Sequence, residues 1–144
     1  MAIFLKTEEE IELMRAANLL VGSTLGELAK HIRPGVSTAY LDKIADTFIR
    51  DHGAVPTFKG FPNPYGRPFP ASICTSVNAC VVHGVPSEDQ ILKDGDIVSI
   101  DCGTLLDGFN GDSAYTFPVG EISEELKTLL LTTKESLYKG IEQA

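Results

Sequence analysis

Three side chains in this 144-residue sequence have the types and spacing of a reactive centre: Asp101, Asp112 and His83. Both acids lie in the stretch DIVSIDCGTLLDGFNGDSAYTF, residues 96–117. Asp107-Gly108 separates two alternating runs there, and Asp-Gly favours the two-residue turn that closes a β-hairpin. With that turn, Leu106 faces Phe109, and Val98–Phe117, Ile100–Tyr115 and Cys102–Ser113 pair on a mostly apolar face. The opposite face carries Ser99, Asp101 and Gly103 against Thr116, Ala114 and Asp112. Asp101 and Asp112 are then diagonal neighbours, with Cα atoms roughly 7–8 Å apart. Carboxylates that lean together repel unless one is protonated. A divalent cation removes the repulsion, because each oxygen becomes a ligand. Two such ions roughly 3.5–4 Å apart form a hydrolytic centre. Gly103 and Gly111 leave room beside the acids. The spacing alone equally allows two solvated aspartates on an exposed sheet face. A bulge at Gly103 would send one acid to the other face.

His83 needs a second positioning element. Residues 72–77 read as a strand, Asn78-Ala79 as a turn, and Cys80-Val81-Val82 as a second strand ending at His83. A histidine beside Gly84 and Pro86 is placed to reach a cleft, where its ring can handle protons. Taken alone, it is more often structural. Residues 54–71 hold five prolines and two glycines, too many breakers for a helix or a central strand. Phe58, Phe61, Tyr65 and Phe69 are interleaved with them. A proline-stiffened aromatic loop can wall an apolar pocket, its ordering entropy being partly spent in advance. It can also simply fold over its own aromatics.

The flanking segments read as helices. Thr7 to Glu10 has the form of a capping box, followed by Ile11, Met14, Val21, Leu25, Leu28 and Ile32 at helical spacing. Asn18 interrupts that apolar stripe, either bonding across to a neighbour or sitting partly exposed. Arg33-Pro34-Gly35 ends the helix. A second helix capped by Ser37 or Thr38 presents Leu41, Ile44, Ala45, Phe48 and Ile49 on one face. Its charges, Asp42 and Asp46 among them, read as a solvated face. A third helix starts at Ser123 with Glu124 and Glu125 in its first turn, and Leu126, Leu129, Leu130, Leu137 and Ile141 share a face.

Composition narrows the function classes. The net charge of −8 argues against nucleic acid as a direct partner, since phosphate binding needs clustered Lys and Arg. No apolar run is long enough to span a membrane, and MAIFLKTEEE lacks the form of a secretory signal. Three cysteines without CxxC spacing fit neither a disulfide framework nor a zinc knuckle, so a reducing cytoplasm is expected.

Several runs, in order, resemble type I methionine aminopeptidases: DGDIVSIDCG around Asp101, LLDGFNGDSAYTFPVG around Asp112, and SICTSVNACVVHGVP at residues 72–86. KTEEEIELMRAAN and RPGVSTAYLDKIADTFI resemble the family's opening helices, so the likeness runs from Phe4 onward. The resemblance implies a pita-bread α/β (α+β) fold, here its N-terminal half, with an antiparallel hairpin and flanking helices. It implies removal of the initiator methionine from nascent polypeptides by a centre of two divalent ions, Co, Mn, Fe or Zn. Asp101 would chelate one ion and Asp112 would bridge both. His83 would contact the scissile bond, while Phe58, Phe61, Phe69 and Cys74 would line the methionine pocket. Asn78 resembles a residue of a monovalent-cation site. The NPYGR segment is longer than in the best-known bacterial members, which changes the pocket's shape. The family's other ligands, a His and two Glu, belong to a second half, so residues 1–144 are expected to be half of a catalytic domain, inactive alone and prone to self-association. The ribosome is an expected transient neighbour. Two other readings stand beside this one: a non-catalytic pita-bread module that binds polypeptides or partners, and an X-Pro hydrolase like prolidase or aminopeptidase P.

Overall fold

The computed structural model describes residues 4–63 and 66–144, so Pro64 and Tyr65 of the aromatic loop lie outside the described residues. In chain order the elements are α1 (Glu8–Ala29), α2 (Thr38–Asp51), β1 (Val55–Pro56), β2 (Ile73–Val77), β3 (Ile97–Leu106), β4 (Phe109–Pro118) and α3 (Glu124–Ile141). Each helix starts where a side-chain oxygen satisfies a free backbone donor. Thr7 Oγ1 accepts from Glu10 N while Glu10 Oε2 accepts from Thr7 N. Ser37 and Ser123 accept from Tyr40 N and Leu126 N in the same way.

β3 is the central strand. It pairs antiparallel along its whole length with β4, and on its other side with β2 and then β1. The hairpin register runs from Leu106↔Phe109 to Ile97↔Pro118 without a bulge, turning at Asp107 and Gly108, both with positive φ. The sequence expectation for this register holds in every pair. The two-residue strand β1 lies within a stretch expected to be all loop. Pro56 is tolerated there because β1 sits at the margin of the sheet, where a missing N–H breaks no central ladder.

Period-two alternation divides the sheet into two faces. One carries Ile73, Val98, Ile100 and Cys102, fully or nearly fully buried against Leu20, Val21, Leu25 and Leu28 of α1 and Leu41, Ala45 and Ile49 of α2. The other carries Cys74, Asp101, Gly103 and Asp112. Thr75 lies on the helix-covered face, opposite Ile100, and its Oγ1 has no hydrogen-bond partner among the described residues. A buried hydroxyl without a partner costs more than the methyl that could replace it. Thr75→Val should therefore stabilise the chain by about 1 kcal/mol, read as a rise in the urea midpoint. A lower midpoint would mean the hydroxyl has a partner after all.

α3 differs from the other helices. It has no buried residue, and Leu129, Leu131, Leu137, Tyr138 and Ile141 are all more than half exposed. Among the described residues no helix is long and apolar enough to cross a membrane.

Candidate metal and peptide site

The face opposite the helices holds the candidate site. Asp101 pairs with Ala114 and Gly103 with Asp112, which makes the two acids diagonal on one face. Cys74 pairs with Asp101 from the other side, so a thiol and two carboxylates share a patch of sheet. The next row is closed by a hydrogen bond between Ser99 and Thr116 hydroxyls, 2.8 Å apart. Above the patch lies a cavity of about 720 Å³. Asp101, Asp112, His83, Cys74, Phe58, Phe61 and Phe69 all line it.

Each wall has a local cause. Cross-loop bonds from Gly60 N to Phe69 O (2.8 Å) and Phe69 N to Phe61 O (3.0 Å) fold the aromatic loop back on itself and bring Phe61 and Phe69 together. Phe58 covers Gly103, where a Cβ would come 2.8 Å from its ring. Gly103 and Gly111 thus do not chiefly make room for the acids, as the sequence suggested. Gly103 admits the pocket wall, and Gly111 admits the α1 backbone, whose Ala17 carbonyl oxygen would lie 2.5 Å from a Cβ.

His83 reaches the cavity from a segment that is not a strand. Among the described residues, 80–82 join no β-ladder, and Val81 and Val82 are exposed, contrary to the sequence expectation. Val-Val favours a strand only where a ladder partner exists. Here the edge of β2 is instead taken by Gly84, whose carbonyl accepts from Thr75 N at 2.8 Å. His83 has φ 59°, an uncommon conformation for a side chain-bearing residue.

Asn78 stands outside the cavity lining. It also has positive φ, and its side chain is engaged in the turn: Nδ2 donates to Asp96 Oδ1 (2.8 Å) and Oδ1 accepts from Ile97 N (3.0 Å).

Burial raises the Asp101 pKa above the usual carboxylate range, reinforced by the charge and hydrogen-bonding contact of Asp112 and opposed by His83. The Cys74 thiol is pushed up to about 11 by burial and then by Asp101 and Asp112, so it is a neutral apolar wall at neutral pH. Cys102, on the opposite face, is pushed up to about 12 by burial and by the same two acids.

The donor set suits a hard divalent cation, because two carboxylates meet on one face of the sheet. Among the described residues, no group of three or more His, Cys, Asp or Glu converges on one point. Two carboxylates alone would supply only part of a coordination shell.

Two acids read from the sequence as solvated hold the pocket in place. Asp42 Oδ1 accepts from Ser72 N (2.7 Å) and Ile73 N (3.1 Å). Asp46 accepts from Ser72 Oγ (2.7 Å), from Lys59 Nζ in the aromatic loop (3.2 Å) and from Arg50 Nε (3.0 Å). Apart from the i,i+4 pair of Asp46 with Arg50, their partners lie 13 to 31 residues away, beyond the reach of a short-range signal. Val85 and Arg67, also in the cavity lining, carried no such signal. Burial pushes the Asp46 pKa up, but hydrogen bonds from Arg50, Ser72 and Lys59 outweigh it and lower it from 3.8 to about 2. A depressed carboxylate pKa gives stability that is present above the unfolded value and lost as pH falls through the folded one. Asp46→Asn should cost about 1 kcal/mol at pH 7, because its cationic partners are half-exposed. It should also flatten the acid limb between pH 4 and about 2 in urea melts. An unchanged acid limb would count against this.

The model of metallopeptidase family M24 matches residues 12–144. The chain belongs to that family. It is 53% identical over 142 residues to the methionine aminopeptidase of Clostridium acetobutylicum, covering 99% of this chain and 55% of that protein. The crystal structure of the methionine aminopeptidase from Rickettsia prowazekii superposes with a TM-score of 0.89 at 40% identity, covering 97% of this chain and 54% of that one. The Xaa-Pro dipeptidase of Bacillus anthracis is a more distant match, with TM-score 0.71, 28% identity and 86% and 32% coverage. This M24 chain has the mixed α/β pita-bread fold of those enzymes. It spans about half the length of the methionine aminopeptidases it matches.

Proposed function

We propose that this M24 chain forms one side of a methionine aminopeptidase site, with Asp101 and Asp112 as metal ligands. The observation that carries the reading is the convergence of the two acids, His83 and an aromatic wall on one cavity. Identity above half with a methionine aminopeptidase over nearly the whole chain supports it. The lower identity and coverage of the Xaa-Pro dipeptidase favour methionine over X-Pro substrates. Retention of both acids and the histidine argues against a module that only binds.

Two divalent ions, drawn from Co, Mn, Fe or Zn, would be held partly by Asp101 and Asp112, with the remaining ligands on a further segment. When bound, they supply Lewis-acid polarisation of a peptide carbonyl and an activated water. A monovalent cation near Asn78 belongs to the same reading. The chain's own groups do the rest. Phe58, Phe61, Phe69 and neutral Cys74 take the unbranched apolar side chain of a first residue. His83 stands at the cavity to donate a hydrogen bond to the scissile amide and steady charge on its oxygen. The substrate would be the N-terminus of a new polypeptide, in the cytoplasm and near the ribosome. The 144 residues act as the N-terminal half of the catalytic domain, and their exposed α3 face makes them self-associate when isolated.

The test is binding of Met-Ala-Ser with diamagnetic Zn²⁺ present, followed by NMR shifts of Phe58, Phe69, Cys74 and His83. Those shifts should appear with Met-Ala-Ser and vanish with Asp-Ala-Ser. No shift at the cavity with any methionine-first peptide would refute the reading.

A further inference from the structure

We propose that Asn18, in the middle of α1, is the positioning residue for Asp112. The inference rests on reading Asp101 and Asp112 as metal ligands. β4 is an edge strand, paired on one side with β3 and with no second strand beside it among the described residues. Asp112 therefore has no ladder partner on its outer side, and its N–H donates instead to Asn18 Oδ1 at 3.3 Å. The Asn18 amide is held in turn, because its Nδ2 donates to Met14 O one turn earlier at 2.8 Å. The two bonds fix the side chain at both ends, with the acceptor aimed at the strand.

The surrounding contacts show that this is a docking point and not a passing approach. At Gly111, next to Asp112, the backbones of β4 and α1 touch, so that a Cβ would lie 2.5 Å from Ala17 O and 2.8 Å from Asn18 N. Thr104, opposite Gly111 on β3, donates from Oγ1 to Ala17 O at 3.1 Å. One turn of α1 thus grips both strands of the hairpin beside the acids. A polar residue in an otherwise apolar stripe weakens a helix unless it bonds elsewhere. Asn18 is that exception, and what it holds is the main chain of a proposed ligand. Groups that orient a ligand commonly set metal affinity tenfold or more.

The test compares three variants of the 144-residue chain titrated with Mn²⁺, read by paramagnetic broadening of the Asp101 and Asp112 amide signals. Asn18→Leu removes the acceptor and should weaken binding about tenfold. Asn18→Asp keeps an oxygen at the same position and should bind at or above the parent level. Thr104→Val removes the other α1-to-hairpin bond and should lower the melting temperature without weakening Mn²⁺ binding. Hydrogen exchange of the Asp112 amide in the unaltered chain gives a measurement that needs no variant, and that amide should be protected. Parent-like Mn²⁺ affinity in Asn18→Leu, equal weakening in Thr104→Val, or an unprotected Asp112 amide would each overturn the proposal. Absence of broadening in the unaltered chain would instead overturn the metal-ligand reading beneath it.

Discussion

On the metal-ligand reading, Asp101→Asn should sharply weaken divalent-ion binding by this chain and at the same time make the metal-free chain more stable. The two effects share one cause. Burial raises the Asp101 pKa, and Asp112, leaning toward it from the adjacent strand, raises it further by its charge. An acid whose folded pKa lies above its unfolded one binds more protons in the native state. Stability then falls as pH rises from the unfolded value to the folded one, and the loss persists above it. An amide at position 101 has nothing to ionise. In chelator at neutral pH, the variant should gain about 1 kcal/mol, a common size for relief of strain at a functional site. The decline in stability across the carboxylate range should shrink but not vanish. Asp42 is also raised, by burial ahead of the bonds it accepts, and remains in the variant. Ion binding should fall by more than the ten- to hundredfold typical of losing an outer partner, because a ligand itself is lost. Urea melts against pH with and without Mn²⁺ read both effects. A variant less stable than its parent in chelator would show that the acids do not oppose each other.

The second large effect is expected at a residue that touches no substrate. Gly84→Ala should unseat His83. Gly84 lies against the edge of β2, where its N–H donates to Ser76 Oγ at 3.2 Å and its carbonyl accepts from Thr75 N. A Cβ would collide with the Thr75 carbonyl oxygen and approach its carbon to 2.7 Å. Both atoms belong to a buried strand and have nowhere to move. The segment carrying His83 must lift instead. Overpacking of this kind costs about 1–3 kcal/mol. Displacing a group in a reacting site by about 1 Å costs on the order of a hundredfold in rate. Gly84→Ala should therefore lower the urea midpoint and erase the Met-Ala-Ser shift at His83. An alanine variant with the parent midpoint and the parent shift would mean that the close approach is not maintained in solution.

Where the sequence was informative, its signals were local. The hairpin register follows from Asp107-Gly108 and strict alternation, both contained within 22 residues. The helix starts follow from Thr7, Ser37 and Ser123, each bonding within three residues. Local signals also misled. Cys80-Val81-Val82 has strand composition, but the place a strand would take beside β2 is held by Gly84. Asp42 and Asp46 look like ordinary surface charges because their partners at Lys59, Ser72 and Ile73 cannot be paired with them by spacing. At the candidate site, geometry put both acids on one face. Their proposed role as metal ligands came from resemblance to a family, since the same geometry describes solvated aspartates.

The grip of α1 on the hairpin also sets an order of events during synthesis. Asn18 and Asp112 are 94 residues apart, and Thr104 and Ala17 are 87 apart. At roughly 5–20 residues per second, α1 is made several seconds before the strands that bury it. The hairpin closes within microseconds of leaving the ribosome, since its pairing is local. Docking of the helix is the long-range step, the kind of contact that slows folding. In that interval Leu20, Val21, Leu25 and Leu28 have no sheet to cover them. The emerging chain is thus most exposed to chaperones and to aggregation before residue 112 appears, and mutations in α1 that spare the folded state can still lower its yield.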